Sequence, residues 1–180
     1  MNKQAANTVF TIGHSTRSIE DFIKLMLENN IKTVVDVRTI PRSRHNPQYN
    51  ADVLPASLKE AGLNYIHMTG LGGLRRTVKD SVNTGWRNAS FRGFADYMQT
   101  PEFDAALDEL IALAKKETIA LMCAEALPWR CHRSLIADAL FVRNIPAKHI
   151  FSHTSQNLHS LTPWAKVEGT TITYPPPESP

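Results

Sequence analysis

The chain has two cysteines in 180 residues, too few for a disulfide framework, which excludes a small disulfide-stapled secreted scaffold. No apolar run approaches the roughly 20 residues needed to cross a bilayer, and the opening stretch, Met1 to Asn7, lacks the apolar segment of a signal peptide. These absences predict a cytoplasmic protein with no membrane partner, whose cysteines are thiols unless they serve catalysis, metal binding or redox sensing, with a Cys123–Cys131 bridge geometrically possible. A large excess of one charge is also missing. The formal net charge is +3 and the isoelectric point near 9.0, a balance that modestly favours anionic partners but is shared by many proteins with no nucleic-acid role. There is no internal repeat and no shift in composition that would mark a domain boundary. Gly72-Gly73 is not followed by Lys-Ser/Thr, so it reads as a turn and not as a Walker phosphate loop. The length, with 42% apolar and 21% charged residues, predicts one domain over 1–180 with flexible ends at about 1–7 and 175–180.

What is present is unevenly spread. Arginines cluster as Arg38, Arg42 and Arg44, as Arg75 and Arg76, and as Arg130 and Arg133, and both cysteines fall in the short stretch from Cys123 to Arg133. That stretch follows an apolar run, Thr118 to Met122, and precedes apolar residues at helical spacing from Ser134 to Val142, so it reads as strand, loop and helix N-terminus. In open α/β sheets ligands bind where loops leave the strand ends and helix N-termini point free N–H groups at them.

The rest of the chain repeats the strand and helix alternation. Strands are expected at Val9 to Ile12, Thr33 to Val37, Asn64 to Met68 and Lys148 to Phe151 beside the one at Thr118. Helices are expected after Ser18, with a capping pattern to Asp21 and an apolar face of Ile19, Phe22, Ile23, Met26 and Leu27, at Leu54 to Ala61, at Phe91 to Met98, and at Glu102 to Lys115 behind Pro101. A long excursion fills Gly70 to Asn88, and the tail is expected to form a small hairpin around Glu168-Gly169 before Pro175-Pro176-Pro177. The fold class that follows is α/β, a three-layer sandwich with a mostly parallel central sheet and a site at the C-terminal edge of its strands.

On that edge the topology gathers His14 and Ser15, Asp36 and Arg38, His67, Cys123 and Glu125, with Cys131, His132 and Arg133 closing over them. The opposite edge offers only Thr8, Lys32, Asn64, Thr118 and Lys148, which is ordinary surface chemistry. Bland readings stand beside each member: Asp36 pairs Arg38, His67 is a satisfied histidine, and Cys123 is a buried inert thiol. The helix dipole supplies Cys131 with about 0.3–2 kcal/mol, and one pKa unit costs about 1.4 kcal/mol. The helix alone therefore brings a thiol from about 8.5 to roughly 7 at best. Arg130 or Arg133 would have to help, while Glu125 would oppose.

Three chemistries fit these residue types. Arginines and helix N-termini could hold a phosphate while Glu125 or Asp36, with His14 or His132, does acid-base work. Cys123, Cys131 and His132 could bind a metal such as zinc, although the spacing is no familiar zinc pattern and adjacent Cys131 and His132 would splay apart. A thiol could be the nucleophile or redox centre. The cradle of cysteine phosphatases is not reproduced, since six residues separate Cys123 from Arg130 and none is glycine. A further stretch, Trp86, Arg87, Phe91, Arg92, Phe94 and Tyr97, interleaves aromatic and basic residues. Helical spacing makes most of it packing, and leaves Trp86 and Arg87 as exposed candidates for stacking on a base and contacting a phosphate.

Five motifs stand out along the chain: Thr-Ile-Gly-His-Ser at Thr11 to Ser15, Asp-Val-Arg-Thr-Ile-Pro-Arg-Ser-Arg at Asp36 to Arg44, Leu-Gly-Gly at Leu71 to Gly73, the block from Trp86 to Met98, and Cys-Ala-Glu with Cys-His-Arg between Cys123 and Arg133. Together they resemble those of the domain-of-unknown-function family number four-eight-eight, small cytosolic proteins of bacteria and archaea. The resemblance implies an α/β fold and a site at Gly13, His14, Ser15, Asp36, Arg38, Cys123, Glu125, Cys131, His132 and Arg133, and no established activity, cofactor or oligomeric state.

The reading from sequence is an enzyme acting on a phosphate-bearing substrate, a nucleotide or nucleic acid. Glu125 and His14 form its acid-base pair with Asp36 and Cys131 assisting, and Ser15, Arg38, Arg42, His132, Arg133, Trp86 and Arg87 bind substrate. The competing readings are a non-catalytic nucleotide- or nucleic-acid-binding protein, and a metal- or redox-responsive regulator built on Cys123, Cys131 and His132.

Overall fold

A computed structural model describes residues 7–178, so most of the expected flexible ends, 1–6 and 179–180, lie outside the described residues. Five parallel strands, β1 (Val9–Gly13), β2 (Thr33–Asp36), β3 (Asn64–His67), β4 (Ile119–Cys123) and β5 (Ala147–Ile150), form a sheet with a short antiparallel edge strand, β6 (Gln156–Leu158), in the order β3-β2-β4-β1-β5-β6. The α/β reading with a mostly parallel central sheet flanked by helices is therefore what the chain adopts. A separate hairpin, β7 (Lys166–Glu168) with β8 (Thr171–Thr173), turns through Gly169 at positive φ.

Among the described residues the α-helices are α1 (Ile19–Glu28), α2 (Leu54–Glu60), α3 (Ala89–Tyr97), α4 (Pro101–Lys116) and α5 (Arg133–Phe141). Three of their starts follow cap chemistry: the Ser18 hydroxyl accepts from Asp21 N, Asn88 Oδ1 from Ser90 N and Phe91 N, and Thr100 Oγ1 from Phe103 N. The buried stripe of α1 is Phe22, Leu25 and Met26, with Ile19 and Ile23 half-covered and Leu27 50% exposed. Leu25, and not Leu27, lies on the inward face because the stripe follows i, i+3, i+4 from Phe22.

Side chains alternate along the buried strands and divide the core in two. Ile12, Val34, Ala120, Met122 and Ile150 face α1 and α2, while Val35, Val37, Ile119, Leu121 and Cys123 face α3, α4 and α5. Each fully buried Leu, Ile, Val or Phe contributes about 1.5–3 kcal/mol, so both layers are held by their own apolar contacts. This division also fixes the crevice. Chain leaving β1 and β2 turns to the α1 and α2 face, whereas chain leaving β4, which lies between them, turns to α5 on the other face. Where neighbouring strands send their loops apart, an open α/β sheet leaves room for a ligand.

Candidate active site

Three strand ends build the site. Beyond β1, His14 N donates to Cys123 O at 2.8 Å and Ser15 N to Ala124 O at 3.0 Å, and beyond β2, Val37 N donates to Met122 O at 3.0 Å. The loop after β4 is thus stitched to the strand on either side. Ser15 sits at φ 48°, a region that only short polar side chains and glycine visit readily, and there its carbonyl accepts from His14 Nδ1 at 2.9 Å. After Cys123 the chain passes through a 3-10 turn, Pro128–Arg130, and returns at Cys131 and His132 to start α5.

This return places the two sulfurs 2.8 Å apart, as free thiols. His132 Nε2–H donates to Val37 O at 2.9 Å and Leu71 O at 3.0 Å, which fixes the ring and turns Nδ1 toward the Cys131 sulfur at 3.6 Å. Gly73 permits this placement: a β-carbon there would stand 2.6 Å from His132 Nδ1. Arg133 is fully buried, its Nη1 donating to Cys123 Sγ at 3.1 Å and Glu125 O at 3.0 Å and its Nη2 to Ala126 O at 2.9 Å. Of the two thiols the first to ionise is Cys131. The hydrogen bond with Cys123 holds the Cys131 thiol well below its usual range, against burial and with help from His132 and Arg133. Burial pushes Cys123 up, reinforced by the neighbouring Cys131. The main source of the Cys131 shift is thus the second cysteine, which the helix-dipole argument from sequence does not contain.

On the other flank Asp36 is fully buried and saturated. It accepts from Arg38 Nε at 2.9 Å, Arg38 Nη2 at 2.7 Å, Arg38 N at 3.1 Å and Tyr65 Oη at 2.5 Å. Arg38 also donates to Tyr49 O at 2.7 Å, and its Nη1 reaches His14 Nε2 at 3.4 Å. His14 stacks on Tyr49 with ring centroids 4.1 Å apart. Burial, outweighing the Ser15 hydrogen bond, lowers the His14 pKa from 6.5 to about 4, so the ring is neutral at pH 7 with its proton on Nδ1. His67 Nε2 donates to Arg38 O at 2.7 Å. Asp36, Tyr65, Tyr49, His14 and His67 together hold one guanidinium and its backbone in place.

Between the flanks opens a cavity of about 410 Å³ whose wall includes Cys123, Cys131, His132, Glu125, Arg38, Arg42 and Arg130, with Ile40 and Leu74 at exposed positions. Glu125 is exposed and its Oε1 accepts from Leu127 N at 3.4 Å. His14, Ser15, Asp36 and Arg133 lie at the same sheet edge but outside the cavity wall. Arg133 is turned under the loop and its hydrogen bonds go to carbonyls and a sulfur, so its place is that of a brace for residues 125–126. Trp86, expected as an exposed stacking residue, is half-buried instead. It packs on Phe91, Trp164 and Tyr174, the last two from the tail, because the excursion folds back onto that segment. Arg87 is exposed and does not line the cavity. Among the described residues no three His, Cys, Asp or Glu side chains converge to hold an ion, and His132 has turned Nε2 to two carbonyls.

Arg130 enters as a charge in the cavity wall, where the sequence argues for it only as an aid to the Cys131 thiolate. Tyr65 and Tyr49 belong to the site with no signal in the sequence, since nothing marks them without the strand order that puts β3 beside β2. No helix among the described residues is long and apolar enough to cross a membrane.

The family model for the domain of unknown function DUF488 matches residues 18–140. The chain belongs to the DUF488 family. No curated protein and no solved structure matches it. The DUF488 match encloses Asp36, Arg38, Arg42, Cys123, Glu125, Arg130, Cys131, His132 and Arg133. Gly13, His14 and Ser15 precede it, and the tail that covers Trp86 follows it.

Proposed function

We propose that this protein is an enzyme acting on an anionic, phosphate-bearing substrate, and that Cys131 is the group that reacts with it. The observation that carries the reading is the seating of Cys131 just before α5 in a cavity whose wall carries three cations, Arg38, Arg42 and Arg130, against one carboxylate, Glu125. A thiolate is the nucleophilic form of cysteine, and a pKa lowered by its neighbours favours that form of Cys131. Planar guanidinium groups suit phosphate oxygens, bidentately where the fork is free as in exposed Arg42 and Arg130, whereas Arg38, with Nε and Nη2 held by Asp36, offers the ligand its Nη1.

Glu125, the carboxylate in the cavity wall, takes or returns the proton at the open mouth. His14 is supporting in this reading and not an acid-base partner. It is neutral, its Nδ1–H is held by Ser15 O, and its Nε2 faces Arg38. The nucleotide or nucleic-acid character of the substrate stays part of the proposal, with Arg42 and Arg130 as the exposed contacts.

The test is thermal unfolding with inorganic phosphate and nucleoside monophosphates, paired with the rate at which iodoacetate alkylates Cys131. A ligand at a hundredfold its Kd stabilises by about 2.7 kcal/mol, or a rise of about 5–10 °C for a domain of this size. The expected result is that rise, slower alkylation, and loss of both effects in Arg42→Ala and Arg130→Ala. If neither phosphate nor a nucleotide moves the midpoint or protects the thiol, the reading is wrong.

A further inference from the structure

A single thiolate suffices for attack on phosphorus or carbon, and a second thiol touching it has no part in those reactions. Here the second thiol is built in with care. Cys123 ends the central strand β4, its sulfur lies 2.8 Å from that of Cys131, and both cysteines belong to the wall of the same cavity. The separation exceeds the about 2.05 Å of a disulfide by less than about 1 Å.

We infer that Cys123 and Cys131 are an exchanging dithiol, and that the reaction of this site is the two-electron reduction of a disulfide carrying an anionic group. The inference rests on the reading of Cys131 as the cavity's nucleophile and names the bond it attacks. In the first step the Cys131 thiolate attacks one sulfur of R–S–S–R′, forming the mixed disulfide Cys131–S–S–R and releasing R′–S⁻, which takes a proton from water. In the second, Cys123 loses its proton to water and displaces R–S⁻ from Cys131, forming the Cys123–Cys131 disulfide. Two electrons pass from the dithiol to the substrate disulfide, which leaves as two thiols, and an external dithiol reductant restores the pair.

The surroundings supply what each step needs. Before attack, His132 Nδ1 and the Cys123 sulfur face the Cys131 sulfur. Once Cys131 is in a neutral mixed disulfide, Cys123 no longer has an ionised neighbour. Its remaining contacts are Arg133 Nη1 at 3.1 Å, which favours a thiolate, and Glu125 O at 3.5 Å. Arg133 has no exposure to solvent, so its charge is little screened at that sulfur. Attack passes from one cysteine to the other as the charge moves. Arg38, Arg42 and Arg130 in the wall select a disulfide whose R group is anionic.

The probe is 5,5′-dithiobis(2-nitrobenzoate), an aromatic disulfide bearing carboxylates, mixed with the reduced full chain and followed by released thionitrobenzoate and intact mass. Wild type is expected to release two thionitrobenzoates per chain and to end without an adduct, as the internal disulfide. Cys123→Ser should release one and carry the mixed disulfide on Cys131. Cys131→Ser should react about tenfold or more slowly, the sulfur of lower pKa being gone. Cys123→Ala and the unfolding midpoints of all variants check that the fold is kept. Two adducts on wild type, or Cys131→Ser reacting as fast as wild type, overturns the dithiol. If Cys123→Ser traps its adduct but phosphate protects nothing, the dithiol stands and the phosphate reading falls; the reverse pattern keeps the phosphate site and removes the dithiol.

Discussion

Gly13 lies directly beneath the Glu125 carbonyl: a β-carbon on Gly13 would stand 1.8 Å from that oxygen and 2.8 Å from Ala126 Cα. The last residue of β1 must therefore be glycine for the loop after β4 to cross over it. Both obstacles are backbone, so no side chain can swing away. Gly13→Ala should displace residues 125–126, pull Arg133 from the carbonyls it braces, and destabilise the protein by about 1–3 kcal/mol or more. Thermal unfolding reads the loss, and the Cys131 alkylation rate should change with it. A variant with unchanged midpoint and unchanged alkylation would mean that the loop reaches its position without this close approach.

The Asp36 cluster predicts a graded response. Asp36→Asn removes the charge facing a buried guanidinium, and breaking a buried pair from one side costs about 3–5 kcal/mol. Tyr65→Phe removes one donor from a carboxylate that keeps three, which costs about 1.5–3 kcal/mol at most for a bond to a charged group. The two changes share one carboxylate, so the double variant should cost less than the sum. Denaturant midpoints of the two single variants and the double check this, and additivity would show that Tyr65 and Arg38 do not act through Asp36.

Most of the fold was legible because its strands are apolar and β-branched and several of its helices are capped. The run Thr33, Val34, Val35 reads as a buried strand whatever surrounds it. Gln156, Asn157 and Leu158 do not, because β6 is three residues long, mostly polar and at an edge, and exists only by pairing with β5. At the site, chain position was legible and side-chain direction was not. That Arg133 stands at a strand-end loop follows from pattern; that its fork turns inward to Glu125 O and Ala126 O depends on where the loop folds back. Likewise, the spacing of Cys123 and Cys131 allows them to meet, and the 3-10 turn between them is what brings their sulfurs to 2.8 Å.

Three histidines give the stability profile two opposed limbs. Burial lowers His14 from 6.5 to about 4 and His149 from 6.5 to about 3. The unfolded chain binds those protons near 6.5 while the folded chain does not, so their contribution is complete above 6.5 and is lost as pH falls toward about 4 and then about 3. His153 behaves in the opposite sense. It bridges Asp21 and Glu28, at 2.6 Å each, and these carboxylates raise its pKa above 6.5. Its contribution is present below 6.5 and is lost as pH rises through the raised value. The midpoint measured against pH should therefore fall on both sides of neutrality. His153→Gln should flatten only the alkaline limb and His149→Gln only the acid one. An alkaline limb that survives His153→Gln would assign it to other groups.

Asp138, on α5, ties the tail to the sheet. It is fully buried and accepts from Tyr174 Oη at 2.8 Å, Thr162 Oγ1 at 2.7 Å, Thr162 N at 3.1 Å and His159 Nε2 at 2.7 Å. His159 Nδ1 in turn meets His149 Nε2 at 2.8 Å, and His149 Nδ1 meets Thr11 Oγ1 on β1 at 2.5 Å. Four donors from two stretches of tail thus converge on one carboxylate, and all of that tail lies beyond the family match at 18–140. Asp138→Asn puts an amide where only donors approach, so these bonds cannot all form; Tyr174→Phe removes a single one, worth about 1.5–3 kcal/mol to a charged acceptor. Hydrogen exchange should quicken across residues 159–174 in both variants, more in Asp138→Asn, while the amides of β2 and β4 keep their protection. Because Tyr174 has no place in the cavity wall, Tyr174→Phe should leave Cys131 alkylation at the wild-type rate. Loss of protection in β4 together with the tail would mean that the tail and the sheet open as one unit, and that the C-terminal segment is part of what holds the thiol site closed.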